Sequence, residues 1–260
     1  MIPALFTAST GMIGNQMYVD TVSNNIANVN TTGFKKNRID FQDILYQELR
    51  PAGAEFVAGS TVPTGISIGM GSRPTSVAKI FKQGDLVNTG NTFDVAIEGD
   101  GFLQVSMPDG STAYTRDGAI KLDSNSQMVT SDGFFLIPNI TIPAGTVSTT
   151  IGNDGTVSVL DQTGASTNIG SLQLASFANP QGLKAMGKNL FIETPASGSA
   201  TLGTPGAGGL GNIAQGFLEL SNVQIVEEMV NLILAQRAYE MNSKAIRVGD
   251  DMLQTAGQLR

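Results

Sequence analysis

Phe93 to Asp123 have the sequence FDVAIEGDGFLQVSMPDGSTAYTRDGAIKLD. Apolar residues alternate with polar ones around Val95 and Ile97, and again around Leu103 and Val105. Because the side chains of a β-strand point alternately to its two faces, this period of two indicates strands with one buried face. The stretch therefore predicts that the centre of the chain is rich in β-strands.

Asp-Gly pairs separate the alternating segments, and such a pair between two strands is a strong signal for a β-hairpin. The pairs are Asp100-Gly101, Asp109-Gly110, Asp117-Gly118, Asp132-Gly133 and Asp154-Gly155. Further alternating apolar positions are Ile120, Leu122, Val157, Val159, Leu172 and Leu174. We predict an antiparallel sandwich or barrel over residues 86–195.

Segments rich in glycine, proline and serine flank this central region. Residues 35–85 are predicted to form an extended connection, with most of its glycine and proline from Pro51 to Pro74, and residues 196–211 a second linker. Residues 206–211 match the dinucleotide-binding pattern G-x-G-x-x-G. That site needs a βαβ unit around the glycines, and the surrounding sequence favours a linker instead.

Residues 1–34 are predicted to form an N-terminal helix, because apolar or small residues recur at intervals of three, four and seven. Its stripe contains Leu5, Ala8, Met12, Asn15, Val19, Val22, Ile26 and Val29. Asp20 is the sole charged residue of this segment, and Gly11 and Gly14 each weaken a helix by about 1 kcal/mol relative to Ala. We expect the helix to be weak alone and to need partners.

Residues 212–260 are predicted to form a long C-terminal helix. Its stripe is Val223, Val226, Val230, Ile233, Arg237, Met241, Ala245, Val248, Met252, Ala256 and Leu259. These positions span 36 residues in ten steps, which is 3.6 residues per step and the period of an α-helix.

Two arrangements of the terminal helices stay open. They could form a helical hairpin packed on a single-domain core, or they could pair with each other and with neighbouring copies. The linkers on either side of the β region and the stripe on each helix favour the second. The predicted fold class is α+β, with an antiparallel β central domain flanked by N- and C-terminal helices that pair as a coiled-coil-like assembly domain.

The composition excludes several kinds of site. The chain has neither Cys nor His, which excludes disulfides, thiolate and imidazole metal sites, and Ser-His-Asp catalysis. The net charge is −7 and the densest basic group is Lys35, Lys36 and Arg38, so we expect no nucleic acid partner. We also expect no cofactor, no metal and no catalytic residue.

Segments near both ends resemble one known family. Residues 24–35 (NNIANVNTTGFK) resemble the N-terminal signature of flagellar rod and hook proteins, and SNV, EEMV, QRAYE and NSKA within 221–245 resemble their C-terminal signature. The similarity extends through 83–102 and 115–123. The chain is thus identified as a member of the flagellar basal-body rod protein family. Its length and residues 41–49 (FQDILYQEL), with the Gly-rich insertion after them, are most similar to the distal rod members.

The resemblance implies a non-enzymatic structural subunit that assembles helically with copies of itself into a hollow periplasmic drive shaft. The shaft transmits torque from motor to hook, and the subunit is exported without a cleaved signal peptide. The implied partners are proximal rod proteins, the hook protein, the peptidoglycan- and outer-membrane-ring proteins and the flagellar export apparatus.

The resemblance also assigns assembly contacts. They are Asn24, Asn25, Asn28, Thr31 and Gly33 at the end of the N-terminal helix, and Glu227, Gln236, Arg237 and Tyr239 on the C-terminal helix. Because Arg237 lies in the apolar stripe and an unpaired buried charge is costly, it is expected to pair with a carboxylate of its own or an adjacent subunit.

Three alternatives stay open. The chain could be another rod or hook axial protein of the same family. It could be a cell-wall-binding β module with helical oligomerisation tails, although it has no Trp and four Tyr. It could also be a hydrolase using the carboxylates of Asp94 and Glu98. Their spacing with Asp100 along a strand and turn is instead typical of solvated carboxylates.

Overall fold

The computed structural model describes residues 2–53, 55–57, 60–61 and 63–258, with side chains for 3–53 and 63–258. Leu259 of the predicted stripe lies outside the described residues, as do residues 54, 58–59 and 62 of the Gly-rich connection. The chain forms two compact units, and the predicted α+β class, with terminal helices and an antiparallel β centre, is confirmed.

Unit 1 comprises Met1–Ala27, Asn37–Ala78 and Gln224–Arg260. Its elements are α1 (Ile2–Ala27), β1 (Asn37–Asp43), β2 (Tyr46–Arg50), β3 (Glu55–Val57), β4 (Ser60–Thr61), β5 (Ile66–Gly69), β6 (Ser72–Lys79) and α2 (Ile225–Gln258). The strands pair as β1 with β6, β2 with β5 and β3 with β4. The Gly-rich connection therefore contains hydrogen-bonded strands rather than an unpaired linker.

Unit 2 comprises Asn28–Lys36 and Lys79–Val223. Its strands are β7 (Leu86–Asn88), β8 (Val95–Glu98), β9 (Phe102–Ser106), β10 (Thr112–Thr115), β11 (Ile120–Leu122), β12 (Met128–Thr130), β13 (Phe135–Ile137), β14 (Thr146–Ile151), β15 (Thr156–Asp161), β16 (Ser166–Ser171), β17 (Leu174–Ser176), β18 (Lys184–Gly187), β19 (Leu190–Ile192), β20 (Thr201–Gly203), β21 (Asn212–Gln215) and β22 (Phe217–Glu219). A 3₁₀ helix covers Pro180–Gly182.

The main sheet of unit 2 has the order β11-β12-β13-β9-β10-β19-β18. Two more strands belong to it: β17 pairs with β9, and β20 pairs with β17. A three-stranded sheet (β14-β15-β16) and the pairs β8–β21 and β7–β22 complete the unit. The core lies among these sheets, with Leu103, Val105, Val157 and Leu174 among its buried members.

Two boundaries differ from the sequence-based expectation. Helix α2 begins at Ile225 and not near Asn212, because 212–219 form β21 and β22, which pair with β8 and β7. The expected linker at 196–211 contains β20, which pairs with β17.

Three of the five predicted Asp-Gly turns connect paired strands. They are Asp109-Gly110 (β9 to β10), Asp132-Gly133 (β12 to β13) and Asp154-Gly155 (β14 to β15). The hairpins predicted at Asp100-Gly101 and Asp117-Gly118 are wrong. Gly118 lies against the backbone of Val95 instead, where a Cβ would overlap the Val95 carbonyl oxygen, and the chain continues from β10 to β11 at the edge of the same sheet.

No helix in the described part of the chain is both long enough and apolar enough to cross a membrane.

We expect Leu174→Ala to lower the free energy of unfolding by about 2–5 kcal/mol, because it leaves a cavity at a fully buried core position. Leu160→Ala, on an exposed part of β15, is the matched control and should change it by less than about 1 kcal/mol. Urea denaturation followed by circular dichroism measures both. Equal losses would contradict the assignment of the core.

Candidate assembly site

The helices α1 and α2 pair within unit 1 through small and polar residues. A Cβ on Gly11 would lie 2.8 Å from Asn242 Nδ2, and a Cβ on Gly249 would lie 2.6 Å from Leu5 Cδ2. Glycine at these positions therefore lets the helices approach more closely than larger residues would allow. Along α2, Glu228, buried Ala235, Asn242 and Gly249 follow one another at intervals of seven, the repeat of a coiled coil.

A buried polar contact fixes the end of α1 to the beginning of α2. Asn25 Nδ2 donates to Glu228 Oε2 at 2.9 Å and to the carbonyl of Asn37 at 2.9 Å, while the Asn37 amide donates to Asn25 Oδ1 at 2.8 Å. Asn25 and Glu228 are both almost fully buried. Glu228 also lies in the first turn of α2, where the helix dipole favours a negative charge. This contact fixes the register of the two helices.

Many of the large apolar residues of α2 are exposed in the single chain. Those that are at least two-fifths exposed are Ile225, Val226, Met229, Val230, Ile233, Leu234, Tyr239, Met241, Val248, Met252 and Leu253. We call this set the exposed apolar face of α2. The stripe predicted from Val223 onward contributes most of its members to this face and not to the contact with α1. The stripe predicted on α1 includes two buried residues, Ala8 and Val22.

Unit 2 contains a buried ion cluster, formed by Lys35, Arg116 and Glu219. Lys35 Nζ lies 2.5 Å from Glu219 Oε1, and Arg116 Nη1 lies 3.3 Å from Glu219 Oε2. The amide of Gly84 donates to the same carboxylate at 2.9 Å. Burial lowers the pKa of Lys35, and the nearby Glu219 carboxylate opposes that effect. Removing one partner would leave a buried charge uncompensated, so the cluster is expected to matter for folding.

The turn after α1 is held against the ion cluster. Gly33 has φ +66°, and its amide donates to the carbonyl of Glu219 at 2.8 Å. A Cβ on Gly33 would lie 2.7 Å from the amide nitrogen of Asp117, so a larger residue would meet both backbone strain and overlap. Thr31 donates to Asn28 from both its amide and its hydroxyl, at 3.2 Å each.

The structure places the predicted N-terminal site residues in two groups. Asn24 and Asn25 belong to unit 1, and Asn24 Oδ1 accepts a hydrogen bond from Asn37 Nδ2 at 3.2 Å. Asn28, Thr31 and Gly33 belong to the turn of unit 2.

The predicted site residues on α2 lie at its surface. Gln236 and Tyr239 line an open groove of about 420 Å³ between α1 and α2. Arg237 is not buried: its side chain is 75% exposed, and its Nη1 lies 2.9 Å from Oε2 of Glu240 in the same chain. Glu227 is exposed in the first turn. All four side chains are thus exposed in the single chain.

Sequence reasoning missed the side chains that make the buried polar contacts within each unit. Glu228, not Glu227, makes the buried contact with Asn25, and the hydrogen-bond partners of Lys35, Lys82 and Glu219, are 47 and 184 residues away in the sequence. Of the three acidic residues weighed for a hydrolase site, Glu98 and Asp100 are exposed as expected, but Asp94 was misjudged. Asp94 is buried and accepts hydrogen bonds from Thr89 Oγ1 at 2.6 Å and Asn91 Nδ2 at 3.0 Å, so it is a structural carboxylate and not a solvated one.

Three models of flagellar protein families match successive parts of the chain. Residues 5–35 match the family model described as flagella basal body rod protein, 96–159 the flagellar hook protein FlgE/F/G D1 domain, and 214–259 the flagellar basal body rod FlgEFG protein C-terminal model.

Relatives that align with the whole chain are also described as flagellar proteins. The flagellar basal-body rod protein FlgG of Buchnera aphidicola subsp. Schizaphis graminum is 48% identical over 260 residues, which cover 100% of both chains. FlgG of Borreliella burgdorferi is 48% identical and covers 100% of this chain and 99% of its own. The flagellar hook-basal body complex protein FlhP of Bacillus subtilis is 32% identical, with full coverage of both.

We expect Glu219→Gln to lower the free energy of unfolding of unit 2 by about 3–5 kcal/mol, because it leaves two buried cations without their carboxylate. Asp132→Asn removes the exposed partner of Lys188 in the same unit and should cost less than about 1 kcal/mol. Urea denaturation of the two variants, side by side, measures the difference. A loss for Glu219→Gln no larger than that of its control would show that the cluster contributes little to stability.

Proposed function

The chain belongs to the flagellar basal-body rod protein family, and on that basis we propose how it builds the rod. As a member it is a structural subunit of the bacterial flagellar basal body and not an enzyme, and it assembles into the rod with other rod and hook proteins. The proposal is that it forms the distal rod, a hollow helical shaft of many copies in the periplasm that transmits torque from motor to hook.

The exposed apolar face of α2 is the observation that carries this proposal. Val226, Leu234 and Met241 are each more than three-fifths exposed in the single chain. An apolar surface of this extent on a soluble chain marks a site of protein contact. Because the α1–α2 contact uses the opposite, small-residue face, the helix pair can form within one chain and still offer its apolar residues to neighbouring copies.

The assembly contacts assigned by family resemblance extend this proposal. Gln236, Arg237 and Tyr239 lie on the surface of α2 and are available to an adjacent subunit. Asn24 and Asn25 act at the end of α1, where Asn25 sets the register with α2. Asn28, Thr31 and Gly33 act indirectly by shaping the turn that follows.

The same family membership suggests the remaining partners. We propose that the flagellar export apparatus delivers the chain, and that the shaft meets proximal rod proteins at one end and the hook protein at the other. The peptidoglycan- and outer-membrane-ring proteins would surround it.

Electron microscopy of basal bodies from cells with and without this gene tests the proposal. We expect the mutant rod to stop short of the outer membrane and to lack hook and filament. A complete rod that lacks a structure beyond it would assign the chain to another axial position. Unchanged basal bodies would overturn the proposed function.

We expect Val226→Asp to abolish shaft formation, because it places a charge in the exposed apolar face that neighbours must bury. Val147→Asp is the matched control: the residue is 64% exposed, in unit 2, against 76% for Val226. Both should leave the stability of the isolated chain within about 0.5 kcal/mol of wild type. Basal bodies from strains carrying each variant provide the readout.

Arg237→Ala tests the assigned contacts on α2 in the same strains. Its ion pair with Glu240 is exposed, so its removal should cost the isolated chain less than about 1 kcal/mol while disturbing the shaft. A wild-type shaft in this strain would remove Arg237 from the set of contact residues.

A further inference from the structure

Helix α1 carries one charged residue, on the side that faces away from α2. Asp20 is exposed, and it is the sole charged residue between residues 2 and 27. It lies nine residues from Gly11, which lies against Asn242 of α2, and nine residues are two and a half turns of a helix. Phe6 and Ile13, which precede Asp20 at intervals of seven, are 49% and 57% exposed. We call Phe6, Ile13 and Asp20 the outer face of α1.

Asp20 has no cation beside it in the single chain. None of the ion pairs in the described part of the chain includes it. Water satisfies an exposed carboxylate, but the outer face of α1 loses that water if copies pack through their helices. An unpaired charge in such a contact is costly. Assembly therefore favours a cation of a neighbouring copy opposite Asp20.

Helix α2 has three cations, Arg237, Lys244 and Arg247. Arg237 is paired with Glu240 at 2.9 Å, and this pair also occupies the carboxylate one turn before Lys244. Arg247 has two acidic residues one turn further on, at positions 250 and 251. Lys244 is exposed and, like Asp20, belongs to none of the ion pairs among the described residues. Lys244 is thus the cation of α2 that is left for a neighbouring copy.

Lys244 lies on the side of α2 that faces away from α1. It is nine residues, or two and a half turns, from Ala235, which is buried in the line of residues that meets α1. Met241 and Val248, one turn before and after Lys244, are 66% and 43% exposed. Each helix therefore presents an apolar outer surface around one charge, and the two charges have opposite signs.

The two charges cannot meet within one chain. Asn25 lies beside Glu228 and the helices are antiparallel, so Asp20 is level with Ile233. Lys244 is eleven residues further along α2, which is about 16 Å. The charges also face opposite sides of the helix pair. A contact between them therefore joins two different copies.

We propose that Asp20 of one copy pairs with Lys244 of a neighbouring copy, with the outer face of α1 packed on the exposed apolar face of α2. This pairing rests on the proposed function and sets the register between copies, because a shift by one turn leaves both charges unpaired. Since the two charges face opposite sides of the helix pair, a copy meets one neighbour through Asp20 and another through Lys244. Such a head-to-tail contact repeats along a row of copies, whereas a two-fold contact would stop at a dimer.

Disulfide cross-linking locates the contact, because the chain has no Cys of its own. Basal bodies are isolated from a strain that carries Asp20→Cys and Lys244→Cys together, and they are oxidised with diamide. A disulfide needs Cα atoms within about 7 Å, so the two positions cannot react within one chain. The expected product is a ladder of dimers and longer chains on a non-reducing gel, which dithiothreitol returns to monomer.

The matched control carries Asp20→Cys and Arg237→Cys. Position 237 lies on the same side of α2 as Lys244 but seven residues earlier, which is about 10 Å along the helix. This pair should cross-link at least about tenfold less than the pair at 20 and 244, because the distance exceeds the reach of a disulfide.

Charge reversal tests the ion pair itself. Asp20→Lys and Lys244→Asp should each reduce the number of complete rods per cell at least about tenfold, because each places like charges in the contact. The two changes together should restore the rods, whereas Asp20→Lys with Arg247→Asp should not. Both residues of the pair are exposed, so the isolated variants should keep the circular dichroism spectrum of the wild type.

Three results would overturn the pairing. The first is a ladder from the control pair at 20 and 237 as strong as that from 20 and 244. The second is a wild-type number of rods in either single reversal, and the third is no recovery of rods in the double reversal. In each case a strain without the gene would still lack a complete rod, so the proposed function would stand. Unchanged basal bodies in that strain would overturn the proposed function and this contact together.

Discussion

The buried carboxylate of Glu219 holds together segments of unit 2 that are far apart in the sequence. It pairs with Lys35 and Arg116 and accepts a hydrogen bond from the amide of Gly84, and the backbone of Glu219 accepts another from Gly33. Two cations share one carboxylate in a buried site, so each member depends on the others. The geometry of the turn after α1 therefore depends on a residue that lies close to the beginning of α2 in the sequence.

In unit 1 the interaction between the helices has a different chemistry. Gly11 and Gly249 allow close approach, and the Asn25–Glu228 hydrogen bond sets the register, so little apolar surface is used between α1 and α2. A single buried polar contact between two helices specifies their register but contributes little to their stability. Many large apolar residues of α2 consequently stay exposed in the single chain.

The sequence predicted those elements whose signal is local. Alternation located β9 and β15, three Asp-Gly pairs marked hairpins, and the period of 3.6 identified α2. The start of α2 was placed too early because the strand state of 212–219 depends on pairing with β8 and β7. The local signal was Gly216, which has φ +77° between β21 and β22 and should have counted against a helix there.

The side-chain contacts were much less predictable. No spacing rule connects Lys35 with Glu219, and the periodic stripe on α2 shows which residues share a face but not which face meets α1. Small residues at Gly249 and Ala235 mark the contact with α1, and a search for apolar periodicity passes over them. Asp94 was misjudged for a similar reason, since its burial follows from Thr89 and Asn91 folding back over it.

The distribution of charge also bears on how copies can pack. Between residues 2 and 27, Asp20 is the sole charged residue of α1, and the polar positions there are Asn, Gln, Ser and Thr. Bringing many such helices together desolvates few charges and creates little repulsion between copies. Unit 2 instead pairs its buried charges within the chain. In unit 2 the buried charges of Lys35, Arg116 and Glu219 are matched within one chain, whereas α2 of unit 1 leaves many large apolar residues exposed in the single chain.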